Sequence, residues 1–216
     1  MRRLLLLFAI VLICGFFSTL ALAEEPVGSI TELKGHATAR RGGQQLEVVP
    51  AMPILRNDEI DTDAGSGVTI TLVGGTRLTL SESTSVIVDE SVVAADKQGK
   101  SIMHLLRGRL RSVVAAVGTL SGNFQVHTPN AIAATRGTDL EVAFIEGKPC
   151  PEQPTCRVYT TVGVYKGIVD VSNPTSTDRT HAVAVTAGYQ ANVPCEMVPL
   201  SPSPWGIEEL GTPGYN

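Results

Sequence analysis

The five residues Val68-Thr69-Ile70-Thr71-Leu72 alternate strictly between apolar and hydroxyl side chains, and Leu78-Thr79-Leu80 repeats the pattern. A period of two is that of an extended strand, so the apolar residues line one face and the threonines the other; one face is buried and one is wet. Between the runs, Val73-Gly74-Gly75-Thr76 holds a Gly-Gly pair suited to a two-residue hairpin turn. Almost every later apolar segment follows the same grammar, being short, rich in Val, Ile, Leu and Thr, and closed by Gly, Asn, Asp or Pro. Such residues fit a pleated, half-buried surface, and helical signals are poor, so the chain is expected to be all-β.

A glycine separates short β-prone runs again at Arg40-Arg41-Gly42-Gly43-Gln44, Leu106-Arg107-Gly108-Arg109-Leu110 and Tyr165-Lys166-Gly167-Ile168-Val169. The strands expected there include Ser101–Leu106, Gly108–Val114, Arg157–Val162 and Gly163–Asp170. Because the spacing is irregular, an irregular β-solenoid, a β-helix-like stack of short strands and hairpins, fits better than a propeller of constant blade length. An open stack has edges that must be covered or blunted. The Pro-rich tail at 197–216, with Pro199, Pro202, Pro204 and Pro213, is a candidate cover, and Trp205 within it is expected to dock on the domain's own surface rather than mark a partner site.

Arg2 and Arg3 precede an apolar run from Leu4 to about Leu20 that ends in Ala21-Leu22-Ala23, the order of a cleavable secretory signal peptide over residues 1–23. A retained membrane anchor is the alternative. Cleavage would leave a β domain at 24–196 followed by the tail, would place the mature chain in the periplasm or outside the cell, and would take the net charge from −4 to −6 by removing two arginines. No later segment could span a bilayer. Mild acidity without basic clusters argues against nucleic acid as a partner, since phosphate binding needs concentrated Lys and Arg. Arg107, Arg109 and Arg111, at alternating positions, read as the solvated face of a strand.

Cysteines at 150, 156 and 195 remain after cleavage, an odd count for an oxidising compartment. Cys150 and Cys156 flank Pro151-Glu152-Gln153-Pro154-Thr155, whose prolines favour a turn that brings the two sulfurs together. That disulfide would stabilise by about 2 kcal/mol, so its effect would be local rigidity. Cys195 would then be a buried thiol, pair with another chain, or replace one member of the bridge. No C-x-x-C pair or neighbouring histidine completes a metal site, and no cofactor is expected.

The four histidines, at 36, 104, 127 and 181, lie in strand-like contexts without a nucleophile motif, and no G-x-S-x-G occurs, which lowers the enzyme reading. Asp58-Glu59-Ile60-Asp61-Thr62-Asp63 gathers four carboxylates but lacks the spacing of an EF-hand, so it reads as a charged strand end before the turn at Ala64-Gly65-Ser66-Gly67.

Asn123 to Phe144 reads as two short strands around Thr128-Pro129, then a break at Arg136-Gly137-Thr138 before a third strand. Proline supplies no N–H and glycine reaches backbone angles closed to other residues, so strand pairing is punctuated at both places. Thr128, Pro129, Ala133, Arg136, Gly137 and Thr138, followed by alternating apolar residues, resemble the FecR domain. So do Asn57-Asp58-Glu59-Ile60-Asp61-Thr62, with Asn57 where the family usually has glycine, and Gly74-Gly75-Thr76-Arg77-Leu78-Thr79-Leu80, with Gly74 in place of an aspartate. The core of the match spans 58–144, and 157–193 resembles the family's closing repeats.

The resemblance implies a non-catalytic exported recognition module whose partner is another cell-envelope protein, in signalling or assembly. Thr128, Pro129, Arg136, Gly137 and Thr138 would then be structural or partner-contacting. A structural or glycan-binding envelope module is the alternative, disfavoured by the single Trp, and an enzyme is the third. The family's best-known members are periplasmic parts of transmembrane regulators acting on a sigma factor; with only Met1, Arg2 and Arg3 before the apolar run, the resemblance is not extended to direct sigma-factor control.

Overall fold

The computed structural model describes residues 24–91, 100–115, 123–176 and 181–206. The expected signal peptide and residues 207–216 of the tail lie outside them. Among the described residues there is no helix, and therefore none long and apolar enough to cross a membrane. The strands are β1 (Gly28–Lys34), β2 (Ala37–Arg41), β3 (Gln44–Glu47), β4 (Pro53–Ile54), β5 (Asp58–Thr62), β6 (Gly67–Leu72), β7 (Arg77–Leu80), β8 (Ser85–Ser91) and β9 (Lys100–Val113). There follow β10 (Asn123–His127), β11 (Ile132–Thr135), β12 (Asp139–Glu146), β13 (Val158–Lys166), β14 (Ile168–Ser172), β15 (Ala182–Thr186), β16 (Tyr189–Pro194) and β17 (Ser203–Pro204).

Hydrogen bonding divides them into two sheets. The first runs β4-β1-β6-β7-β9-β12-β13-β16-β17 and the second β3-β2-β5-β8-β9-β10-β11-β14-β15. Strand β9 belongs to both. Its first half, to Arg107, pairs with β8 and β10; its second, from Gly108, pairs with β7 and β12. The two strands expected on either side of Gly108 are thus one strand that changes sheets there. Gly108 has φ of 84°, and a Cβ on it would lie 2.4 Å from Thr84 Oγ1, so only glycine fits the crossing.

The all-β class is observed, whereas stacked solenoid coils are not confirmed. Coils of a β-helix stack parallel strands, whereas among the described strands only β9 and β10 pair in parallel, through registers such as Val126 with Met103. Alternation puts Ile30, Val68, Ile70, Leu78, Leu80, Leu110, Leu140, Val142 and Val162 of the first sheet into one core with Ala39, Ile60, Val86, Val88, Met103, Leu105, Val126, Ala133 and Val169 of the second. Burying such side chains contributes on the order of 1.5–3 kcal/mol each relative to leaving them exposed, and this is what joins the two faces.

Gly163 marks a second difference. The sequence suggests a break there, but β13 runs through it to Lys166 and the chain turns at Gly167 instead. Residue 163 lacks a side chain because the Trp205 indole lies on it: a Cβ would approach three ring atoms at 2.7–2.8 Å. Trp205, 6% exposed, is the anchor by which the tail covers the edge of β16. Leu200 N–H donates to Asn192 O at 2.9 Å, Ser203 and Pro204 pair with Gln190 and Tyr189, and Trp205 N–H donates to Gly188 O at 2.8 Å. Prolines 199, 202 and 204 carry no N–H and so offer no donors for further strand pairing.

Candidate functional site

The Thr128-Pro129 turn is held from inside. Thr128 N–H donates to Ala131 O at 2.8 Å, and Ala131 N–H donates to Thr128 Oγ1 at 2.9 Å. Thr128 Oγ1 lies 2.7 Å from Thr160 Oγ1 of β13, and that hydroxyl donates to Asn130 Oδ1 at 2.6 Å. Asn130 Nδ2 in turn donates to the carbonyls of Val193, at 2.7 Å, and Cys195, at 3.2 Å. Thr128, Asn130 and Thr160 are all buried, so the network uses its polar groups on itself; only Pro129 of the turn is exposed. Asn130 is a member that the sequence reading passed over. Its side-chain partners Thr160, Val193 and Cys195 lie 30, 63 and 65 positions away, so no local pattern marks it.

The second motif divides differently. Thr138 is buried, its carbonyl accepts from Val114 N–H at 2.7 Å, and its hydroxyl lies 2.8 Å from Thr135 Oγ1. Thr135 Oγ1 also lies 2.9 Å from the Ile168 carbonyl oxygen, which ties the bend to the start of β14. Gly137 turns the chain at φ of 67°. Arg136 is the exception: it is exposed, and among the described residues its guanidinium has no hydrogen bond or ion pair.

Arg136 stands at the end of a surface assembled from β11, β14 and β15. The registers Ala134–Asp170–Ala184, Ile132–Ser172–Ala182 and Ile168–Thr186 place these residues in rows on the outer face of the second sheet. Ile168 is 58% exposed, and Ala182, Ala184 and Thr186 are exposed as well. β15 pairs with β14 on one side and, among the described residues, with no strand on the other. Its sequence, Ala-Val-Ala-Val-Thr, contains no charge and no proline, the devices that usually blunt an edge. The opposite edge of this sheet, β3, reads Gln-Gln-Leu-Glu and is polar.

The outer face of the first sheet is internally paired. Arg111 donates to both carboxylate oxygens of Asp139, at 3.1 and 2.9 Å, and its guanidinium carbon sits 4.1 Å from the Tyr165 ring centroid. Tyr165 packs 4.4 Å from Trp205 and donates its hydroxyl to Glu141 Oε2 at 3.3 Å. Arg109 Nη1 lies 3.2 Å from Glu141 Oε1, an ionic contact without hydrogen-bond alignment. Glu141 is 2% exposed. Burial pushes its carboxyl above 4.5, outweighing the opposing pull of Arg109, the Tyr165 hydroxyl and Arg111. The arginines expected on a solvated face are therefore ion-paired, Arg107 with Asp61 at 2.9 Å included. Glu141 was missed in the sequence, although a carboxylate inside Leu140-Glu141-Val142-Ala143-Phe144 signals a covered face.

The acidic run forms β5 and then a turn, as expected. Asp58 is fully buried and held by Arg41 at 2.8 and 2.6 Å and by Leu55 N–H at 2.8 Å. Glu59 pairs with Arg40 at 2.5 Å, and Asp63 meets His36 Nδ1 at 2.8 Å. His104 and His127 meet edge to face at 5.3 Å, with His104 Nε2 3.0 Å from Asp89.

The cysteine pairing is corrected. The disulfide joins Cys156 to Cys195, 39 residues apart, and Cys150 is a buried free thiol. The cause is strand register. Tyr159 lies opposite Pro194, and Cys195 N–H donates to Val158 O at 2.9 Å, so β13 and β16 deliver Cys195 beside Cys156.

A family model described as FecR protein matches residues 58–170, just over half of the chain. No curated protein matches. Two crystal structures assigned as anti-sigma factors from Parabacteroides distasonis ATCC 8503 share the fold at 19% sequence identity, with TM-scores of 0.51 and 0.50. Each alignment covers 68% of this chain and 59% of the other, so the chain spans about three fifths of the length of those proteins.

Proposed function

Because this chain belongs to the FecR protein family, we propose that it works as a non-catalytic, exported recognition module that binds another cell-envelope protein by strand addition at β15. The observation that carries the reading is the open edge of that strand, uncharged and flanked by exposed Ile168 and unpaired Arg136. An extended partner segment would gain backbone hydrogen bonds along the edge, while alternate side chains meeting Ala182, Ala184 and Thr186 would supply selectivity. The anti-sigma assignment of the two structural neighbours is consistent with work in signalling. A glycan reading is weakened because Trp205, the single tryptophan and best stacking residue, is committed to the chain's own surface.

The test is site-specific photo-cross-linking in cells producing the full chain. With the photoreactive residue at Ala184, one light-dependent adduct with an exported protein is expected; with it at Glu47 on the opposite edge, none. Identical products from both positions, or no adduct from Ala184, would refute the proposal.

A further inference from the structure

We propose that Cys150, Cys156 and Cys195 form an intramolecular thiol–disulfide relay, in which Cys156 exchanges its bond to Cys195 for one to Cys150 and so converts a buried thiol into an accessible one. Three observations carry it. Cys150 and Cys156 pack with Tyr159 in a small cluster of their own, and Cys195 and Ile145 border it, so the three sulfur-bearing residues share one site.

Cys156 has two partners within reach. Its Cα is 5.9 Å from that of Cys195. On the other side, Cys150 N–H donates to Cys156 O at 2.9 Å, while Gln153 N–H donates to Cys150 O at 3.2 Å and Cys156 N–H to Gln153 O at 2.9 Å. These bonds close the loop on itself and bring the Cys150 and Cys156 backbones together at its neck, and both residues pack in the same buried cluster.

The backbone at Cys195 stays in place without the disulfide. Its φ of 44° is left-handed, a conformation that non-glycine residues adopt at a cost. The position is nevertheless fixed without the disulfide: Cys195 N–H donates to Val158 O, and its carbonyl accepts from Asn130 Nδ2 at 3.2 Å and Asn173 Nδ2 at 3.0 Å. Exchange therefore does not require β16 to leave the sheet.

The step balances within the chain. Cys150 loses its proton, and the thiolate attacks Cys156 Sγ. The Cys150–Cys156 bond forms, the Cys156–Cys195 bond breaks, and Cys195 departs as a thiolate that takes up a proton. No electron enters or leaves. Cys150 is fully buried and Cys195 only partly, so the new thiol is the one a second protein's thiol or disulfide could meet. Burial pushes the Cys150 thiol up, and the nearby Glu152 adds to this, so exchange is slow near neutrality and quickens with alkalinity.

The experiment incubates the oxidised full chain without added thiol at pH values from about 7 to 9, labels it with iodoacetamide, and maps the disulfides by mass spectrometry. The expected result is a Cys150–Cys156 peptide with label on Cys195, forming about tenfold faster per pH unit while the thiolate is the minor form. Cys150→Ser is expected to leave Cys195 unlabelled throughout. Should that variant fail to fold, Cys195→Ser takes its place, and there oxidation is expected to join Cys150 to Cys156 and leave no labelled thiol. Retention of the Cys156–Cys195 bond at every pH with label confined to Cys150, or a free Cys150 in oxidised Cys195→Ser, would overturn the relay.

Discussion

The hydroxyl of Thr84 occupies the space that a side chain at residue 108 would need. A Cβ on Gly108 would lie 2.4 Å from Thr84 Oγ1 and 2.7 Å from Thr84 Cα, and Thr84 Oγ1 also accepts the Arg109 N–H at 3.0 Å. The contact locks the point at which β9 leaves one sheet for the other. Gly108→Ala combines a left-handed backbone with overpacking against backbone atoms, and is expected to cost about 2–4 kcal/mol. Urea unfolding measures this. A loss below about 1 kcal/mol would mean that the crossing tolerates a side chain.

The two motif segments are expected to separate in mutagenesis. Asn130→Ala strips partners from the buried Thr160 hydroxyl and the Val193 carbonyl, and is expected to cost about 2–4 kcal/mol, since orphaned buried polar groups cost about 1–3 kcal/mol each. Arg136→Ala removes an exposed side chain that has no hydrogen bond or ion pair among the described residues, and is expected to change stability by less than about 0.5 kcal/mol. Thermal denaturation of the two variants beside the parent decides. Equal losses would show that Arg136 has a structural contact.

Gly163→Ala is expected to lift the tail rather than unfold the sheets. The added methyl meets the Trp205 ring at 2.7–2.8 Å, and β17 is held at the sheet's rim by few bonds. Since Trp205 is the chain's single tryptophan, its fluorescence reports the outcome directly. A red-shifted emission with unchanged β-sheet circular dichroism is expected. An unshifted spectrum would place the indole elsewhere.

The buried Glu141 carboxyl sets a pH dependence of definite sign. Its folded-state pKa is raised by burial, so between 4.5 and that raised value the native state binds the proton and the unfolded chain does not. The stability that this contributes is full below 4.5 and is lost as pH rises through the folded pKa. Relative to Glu141→Gln, which cannot titrate there, the parent is therefore expected to gain stability as pH falls from neutrality toward 4.5. Chemical denaturation of both proteins at a series of pH values measures the difference, and a gap that is flat or of opposite slope would contradict the assignment.

Much of the strand content follows from period-two patterning. Val68–Leu72 and Leu78–Leu80 form β6 and β7 where alternation places them, and the acidic run forms β5 with a turn after it. Trp205 also docks on the chain's own surface as expected. Gly163 shows where local reading fails. A glycine amid β-prone residues suggests a break, but its purpose is to receive an aromatic ring that arrives from 42 positions later in the chain. Likewise, the loop between Cys150 and Cys156 looks ready to close, yet strand register brings in Cys195.

By itself the amino-acid sequence determined the all-β class, the positions of most strands and the family resemblance, because each rests on side-chain alternation and turn residues within a few positions of one another. Tertiary structure alone decided that β9 serves two sheets, that Cys156 joins Cys195, that Glu141 is buried beside Arg109, and that β15 is, among the described strands, the last of its sheet. These are matters of which strands become neighbours. That choice is made by burying two apolar faces against each other across long stretches of chain, and no local window of residues contains it.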